Sequence, residues 1–504
     1  MKFLAVFFIL FAALMRPDIA AAKTLEIKSE NFIITGDMRQ KDGEALLRDL
    51  EIFRKNVFKV LGVNGAPEIV PVKVYVTKSD KAFKRVTGIG AIGGIYTMTH
   101  NGPAFVLNGK NGFRRGGNAR HIALHEYSHH IVSAYTKMDY PLWYSEGFAN
   151  YLATFTYKDG VFRVGDPYDP YARVLRQKNW MPMTIVLSTM DKYPFNLGDT
   201  SKIGAQTTSQ FYAQTWLAIH YLRNTKKHKD ALSTYIDLIN KKSDSLDAFK
   251  VATGLTPEEF EVELKAYFKA NKYNVTRFKT TDTDVPEAVT RALTKQEAEI
   301  VRLTAMRDFT FTPERRDVVI KAYEAYEAKF GISAQSLTGK ADLLAYNAKT
   351  KEAYTKARDM IEAALSLEPD NIETNATAAM ILIHQNGSRL GGEAGDMKRA
   401  RKYAAKVLKQ DRQVPLANYS YALSYRGESN PPENALNAAA YAIDYYRAKG
   451  FIGSNLTLAG ILLNGEKYDE AMPPITRAIT WSDDMGMRMA AQGMRKHIRA
   501  ETKK

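Results

Sequence analysis

The chain has 504 residues, with 71 lysines and arginines against 55 aspartates and glutamates, a formal net charge of +16 and no cysteine. That length exceeds one hydrophobic core and predicts two or three domains, while the missing cysteine excludes disulfides, thiolate metal ligands and a lipid-modified amino-terminal cysteine. The basic excess favours anionic neighbours such as envelope polymers and acidic head groups, but the cationic residues are scattered among acidic ones and read as solvated surface, so nucleic acid is not an expected partner.

Lys2, the apolar run from Phe3 to Leu14 and Ala20-Ala21-Ala22 have the form of a secretory signal over residues 1–22, with the mature chain starting at Lys23. The run is shorter than the roughly 20 residues that span a bilayer, so no integral membrane segment is expected after cleavage. The expected location is therefore exported, periplasmic or secreted, in a bacterial cell envelope. Leu25 to Ile27 and Phe32 to Ile34 read as short strands, and Gly43 to Leu61 as an amphipathic helix carrying Leu46, Leu50, Phe53, Val57 and Val60. Val72 to Val76 alternates as a strand, and Gly93 to Met98 with Ala104 to Leu107 forms a predicted hairpin across Asn101-Gly102-Pro103. From Asn118 onward the period is helical, including Ser209 to Leu222 and a helix capped by Thr256 before Pro257. A turn-rich stretch from Thr280 to Pro286 marks a linker, placing boundaries at 23–275, 276–312 (linker and connecting helix) and 313–504.

The chemistry concentrates at His125-Glu126-Tyr127-Ser128-His129 and at Trp143 to Tyr151. Histidines four residues apart share one helix face and can converge on one ion, with Glu126 beside it. Zinc accepts imidazole and carboxylate ligands, and a catalytic site keeps one of four positions open. His125, His129 and Glu146 supply three ligands; Glu126 is the candidate base for water in the fourth position. Pro141 can start the helix that carries Glu146. Gly147 and Ala149 are expected to let that helix approach the first one closely, and Asn150 is a candidate to orient a ligand histidine. His121, one turn before His125, could lie behind a ligand or near the substrate but is expected to face solvent, His130 has no assigned role, and Arg114-Arg115 could meet a substrate carboxylate but read as a solvated basic loop.

These two segments resemble the gluzincin metallopeptidases, which join an HExxH motif to a distal glutamate, and most closely their peptidase MA-like members. The resemblance implies an α+β, thermolysin-like catalytic domain over residues 23–275, Zn2+ held by His125, His129 and Glu146, and Glu126 as general base. It also implies a tyrosine on a later helix as oxyanion donor. Phe211 to Leu222 is similar to that helix, which makes Tyr212 the candidate. In such families the peptide substrate adds as a strand to a sheet edge, here the hairpin at Gly93 to Leu107. The chain lacks the GxMEN-type segment that anchors a free amino terminus, so a standard aminopeptidase is not expected.

Ala353 to Asn371, with Ala357, Ala364, Leu365, Leu367 and Pro369-Asp370-Asn371, resembles the second helix and exit turn of a tetratricopeptide repeat; weaker echoes occur at Ala400 to Asp411, Ala435 to Tyr446 and Tyr468 to Ile479. The resemblance implies an all-α TPR-like solenoid over 313–504 that recruits a protein partner or substrate. Two readings follow: an exported zinc peptidase acting on a peptide or protein substrate, or a catalytically inactive, peptidase-like envelope scaffold that works through its helical repeats.

Overall fold

The computed structural model describes residues 24–502 apart from 91, 114–117, 137, 178, 197–198, 200, 281–284, 347, 388–390 and 448. The expected signal, Arg114-Arg115 and the middle of the expected linker lie outside the described residues. The chain runs β1 (Thr24–Lys28), β2 (Phe32–Asp37), α1 (Gln40–Leu61), β3 (Val72–Thr77), α2 (Asp80–Thr87), β4 (Gly94–Thr99), β5 (Gly102–Asn108), α3 (Asn118–Tyr135), α4 (Leu142–Ala153), β6 (Thr156–Lys158) and β7 (Val161–Val164). It continues with α5 (Asp169–Leu175), α6 (Met183–Leu187), α7 (Lys202–Asn224), α8 (Ala231–Asn240), α9 (Ser245–Thr253), α10 (Pro257–Ala270), β8 (Thr276–Lys279), β9 (Val289–Ala292) and α11 (Lys295–Asp308). Among the described residues no helix is long and apolar enough to cross a membrane.

The N-terminal half is mixed α+β, built on a sheet of order β4-β5-β3-β2-β1-β9. β3 is parallel to both β2 and β5, and the other pairs are antiparallel. Ile27, Ile34, Val74 and Phe105 stand opposite one another across four strands. All four are fully buried, against Leu46, Leu50 and Phe53 of α1 and Ala123, Leu124 and Tyr127 of α3. The neighbouring row points the other way: Tyr75 and Val106 pack with Leu303 and Met306 of α11 and with Val319 and Tyr323 farther on. Covered on both faces, β5 is apolar and buried from Pro103 to Leu107, and β3 buries Val74, Tyr75 and Val76 in succession instead of strictly alternating.

The stretch expected as linker and connecting helix contributes to this half. β9 pairs with β1, Ile27 opposite Thr290, and β8 pairs with β7 in the small sheet β6-β7-β8.

The C-terminal half is helical: α12 (Pro313–Phe330), α13 (Ala334–Ala345), α14 (Lys351–Leu367), α15 (Ile372–Gly387), α16 (Asp396–Gln410), α17 (Pro415–Leu423), α18 (Glu433–Tyr445), α19 (Ile452–Asn464), α20 (Tyr468–Trp481) and α21 (Met485–Glu501). Consecutive helices pack as pairs, α13 with α14, α15 with α16, α17 with α18 and α19 with α20. Short connections make such neighbours antiparallel hairpins. Ala357, Ala364, Ala400, Ala404, Ala439 and Ala478 are fully buried at these seams, where a small side chain lets backbones approach.

The two halves are joined tightly. His100, at the β4–β5 turn, is ringed by His384, Tyr419, Tyr446 and Phe451, and Tyr446 donates to its carbonyl at 2.6 Å. Arg477 of α20 pairs with Asp139 (Nε to Oδ2, 2.7 Å), and Lys242 donates to the Ile479 carbonyl at 2.6 Å. Arg307 lies buried between the halves with Glu373 at 2.8 Å and Asp308 and Asp342 at 3.5 Å.

Arg307 shares these three acids with Lys73, whose ammonium lies 3.8 Å from Asp308 Oδ2. Burial, with Glu373 and Asp308 adding to it and Arg307 opposing, pushes the Asp342 carboxyl up to about 6. Since its folded value lies above the unfolded one, its contribution to stability is fully present below the unfolded value and is lost as pH rises through about 6. Asp342→Asn imitates the protonated form. We expect it to stabilise the protein by roughly 1–3 kcal/mol at about pH 7.5, with the gain disappearing toward about pH 4; thermal melts of both proteins at the two pH values check this.

Candidate active site

α3 is fixed before it presents any functional group. Tyr127 packs edge-on against Phe32 of the sheet at 4.8 Å between ring centroids and donates to Glu68 Oε1 at 2.8 Å. Arg120 reaches Asp49 of α1 and the Phe155 carbonyl. His130, given no role by its sequence position, bridges Glu68 Oε2 (3.0 Å) and the Tyr96 hydroxyl (3.1 Å), tying α3 to β4. Burial would raise Glu68, but His130 and Arg54 outweigh it and hold the carboxyl below its ordinary range.

α4 begins after Pro141, which occupies the N-cap, and is anchored by a 2.9 Å bond from the Trp143 indole to the Tyr235 hydroxyl. Gly147, expected to bring α4 close to α3, makes its close contact instead with α7: a Cβ there would stand 2.4 Å from the Thr215 carbonyl oxygen. The helix bearing Tyr212 is thereby pressed against the helix bearing Glu146.

His125, His129 and Glu146 come together. Their facing atoms, His125 Nε2, His129 Nε2 and Glu146 Oε2, are separated by 3.0 Å between the histidines and by 3.1 and 3.5 Å from each histidine to the carboxylate. Among the described residues this is a group of metal-ligating side chains whose ligand atoms all lie within 4.8 Å. Glu146 Oε2 and His125 Nδ1 are buried and have no hydrogen-bond partner among the described residues. Glu146 Oε2 thus faces the two imidazole nitrogens at 3.1 and 3.5 Å, and a cation among these three donors is what the set could hold. Two imidazoles and one carboxylate suit zinc, whose bonds of about 2.0–2.2 Å in a tetrahedron require donors somewhat over 3 Å apart.

The electrostatics are those of a tightly coupled cluster. Although burial acts the other way, His129 and His125 hold the Glu146 carboxyl below its ordinary range; Glu146 in turn raises His129 against its own burial. Glu126 is raised chiefly by burial, with the histidines opposing. Its carboxylate lies against β4, since a Cβ on Gly94 would be 2.8 Å from Glu126 Oε1 and 2.4 Å from Ile122 Cγ2.

Tyr212 is near this cluster, its ring edge-on to His125 at 6.1 Å and its hydroxyl 3.4 Å from that of Tyr193. Burial, reinforced by Glu146, raises it well above its ordinary value, so it keeps its proton and can donate. Asn150 is not joined to a ligand histidine: its oxygen accepts from Tyr171 at 2.5 Å, and it lies beside His121. His121, expected in solvent, is buried and stacked on Tyr168 at 3.9 Å; burial, with His125 and Arg120 adding, lowers it to about 3.

Two site residues escape the sequence reading. Ser145 Oγ is 3.2 Å from His129 Nδ1, the contact expected of Asn150. Tyr193, from the loop between α6 and α7, donates to Glu146 Oε1 at 2.7 Å. Ser145 adjoins Glu146 in sequence, which is a usable hint; nothing local marks Tyr193.

These residues line a cavity of about 1250 Å³ together with Ile95 and Tyr96 of β4 and residues of α18 and α20.

No protein-family model matches the chain. It is similar to an uncharacterized protein of Bacillus subtilis (strain 168), YhcO, at 22% identity over 212 residues, which cover 40% of this chain and 59% of that protein. The chain thus aligns with less than two thirds of that relative's length. A solved structure, a thermophilic TPR protein from Thermus thermophilus, matches with a TM-score of 0.30 and 12% identity over 40% of this chain and 99% of that one. A score that low does not establish a shared fold.

Because the Gly147 contact is with backbone, Gly147→Ala cannot be absorbed by a side-chain rotation. We expect a loss of about 1–3 kcal/mol from overpacking, read as a lowered denaturation midpoint, with weaker metal retention as α4 is pushed off α7.

Proposed function

We propose that this chain is an exported zinc-dependent peptidase of the gluzincin type, its helical hairpins forming a TPR-like partner or substrate domain. The observation that carries the reading is the convergence of His125 Nε2, His129 Nε2 and Glu146 Oε2 on one cavity that also holds Glu126. His125, His129 and Glu146 would hold the metal. When bound, zinc supplies a Lewis acid that polarises a carbonyl and lowers the pKa of water. Glu126 accepts the proton of the attacking water and delivers it to the leaving amine. Tyr212, held protonated, donates to the oxygen on which negative charge develops, while Tyr193 and Ser145 fix the orientations of Glu146 and His129. The outer edge of β4 has no strand partner among the described residues and can receive an extended substrate.

A second reading, an inactive envelope scaffold, is favoured by a separate cavity of about 440 Å³ within the helical half, bordered by Tyr354, His384, Tyr419 and Arg426.

We expect the full mature chain to carry one zinc per molecule, lost in His125→Ala and Glu146→Ala by metal analysis. Glu126→Gln should keep its zinc but lower hydrolysis of a mixed peptide library by about 10²–10⁴-fold. Metal-free wild type, or undiminished hydrolysis by Glu126→Gln, would sink the peptidase reading. Gly94→Ala, which crowds Glu126, should likewise retain zinc while losing at least about tenfold in rate, measured on the same library.

A further inference from the structure

The cavity at the metal cluster is not a groove on the N-terminal half alone. Ile443 of α18 and Arg447 just beyond it line it, as do Met472, Pro473 and Arg477 of α20. This part of the helical half is held in place: besides the Arg477–Asp139 pair, Arg477 donates to the Arg447 carbonyl, and Arg447 donates to the Ala134 carbonyl at the end of α3, at 3.3 Å. The lining is therefore a fixed wall in this structure.

We infer that this wall reads the substrate, and that the substrate is an extended peptide segment running between the free edge of β4 and the surface formed by Ile443, Met472 and Pro473. The inference rests on the peptidase reading for its chemistry but not for its geometry. Two observations carry it. First, about 1250 Å³ exceeds the roughly 300–1,000 Å³ of a small-molecule pocket, yet a domain of about 100 residues, with a radius of gyration near about 13 Å, is far too large to enter. A cavity of this size accepts several residues of unfolded chain. Second, β4 has no strand partner on its outer side among the described residues, where the Tyr96 N–H meets Glu126, and Ile443, Met472 and Pro473 offer apolar surface from the helical half.

The test uses the full mature chain, zinc-loaded, in the Glu126→Gln background, with a random decapeptide library captured at equilibrium and sequenced by mass spectrometry. Met472→Glu and Ile443→Glu should each shift the captured population about tenfold from apolar toward basic residues at a defined position. Met472→Gln, a gentler change, should shift it toward polar residues, with thermal melts confirming that each variant is folded. In the catalytic background, a library sequence embedded in a stably folded protein should be cut only after that protein is unfolded. Unchanged capture in all three variants, no peptide capture at all, or equal cleavage of the folded and unfolded sequence would overturn the inference. If wild-type hydrolysis proves independent of Glu126 while capture still depends on positions 443 and 472, the peptidase reading falls and the wall stands; Glu126-dependent hydrolysis with wall-independent capture gives the opposite result.

Discussion

A carboxylate oxygen and two imidazole nitrogens within about 3.5 Å of one another, with Tyr193 holding the other carboxylate oxygen, set the terms for the rest of this structure. Such a cluster persists only where the surroundings are too rigid to relax around it. The supports are of different kinds on the two helices. α3 is held by a polar network centred on Glu68, with Arg54, Tyr127 and His130 around it. α4 is held by contact, through Trp143 at one end and the glycine notch against α7 in the middle. The chemistry can vary only as far as both supports allow.

The sheet treats its two edges differently. The β9 edge is closed by a short strand bearing Thr290 and Arg291, with Arg291 paired to Glu26 and Glu297; short and charged, it discourages pairing with another chain. The β4 edge is left open but lies inside a cleft, where α3 and the helical half restrict what can reach it. An unprotected edge would be a hazard on the surface; enclosed, it can be used.

How much is legible in the sequence follows from how local each feature is. His125, Glu126 and His129 are readable because helical spacing alone puts them together, and Glu146 because a short return brings the next helix back. The strands near Ile27, Ile34 and Val74 are readable from their apolar pattern. β9 is not, because Val-Thr-Arg-Ala shows little apolar alternation and becomes a strand only by pairing with β1. The burial of His121 depends on Tyr168, far along the chain, and so runs against its expected exposure. Ser145 and Tyr193 depend on the angle between α3 and α4 and on the course of a loop, neither of which is encoded by periodicity. The contribution of α18 and α20 to the cleft is the least local of all: Arg477 and Asp139, which meet there, are 338 positions apart.

The pairing of β9 with β1, together with the α11 and α12 side chains over Tyr75 and Val106, bears on the order in which the molecule can assemble. As the chain leaves the ribosome, β1 cannot gain its outer neighbour until the whole stretch from Ser29 to Ala288 has followed. Until then one face and one edge of the young sheet are bare. Pairing across so long a sequence separation is slow to form, and a chain ending at residue 275 has neither β9 nor the α11 and α12 side chains to cover that edge and face.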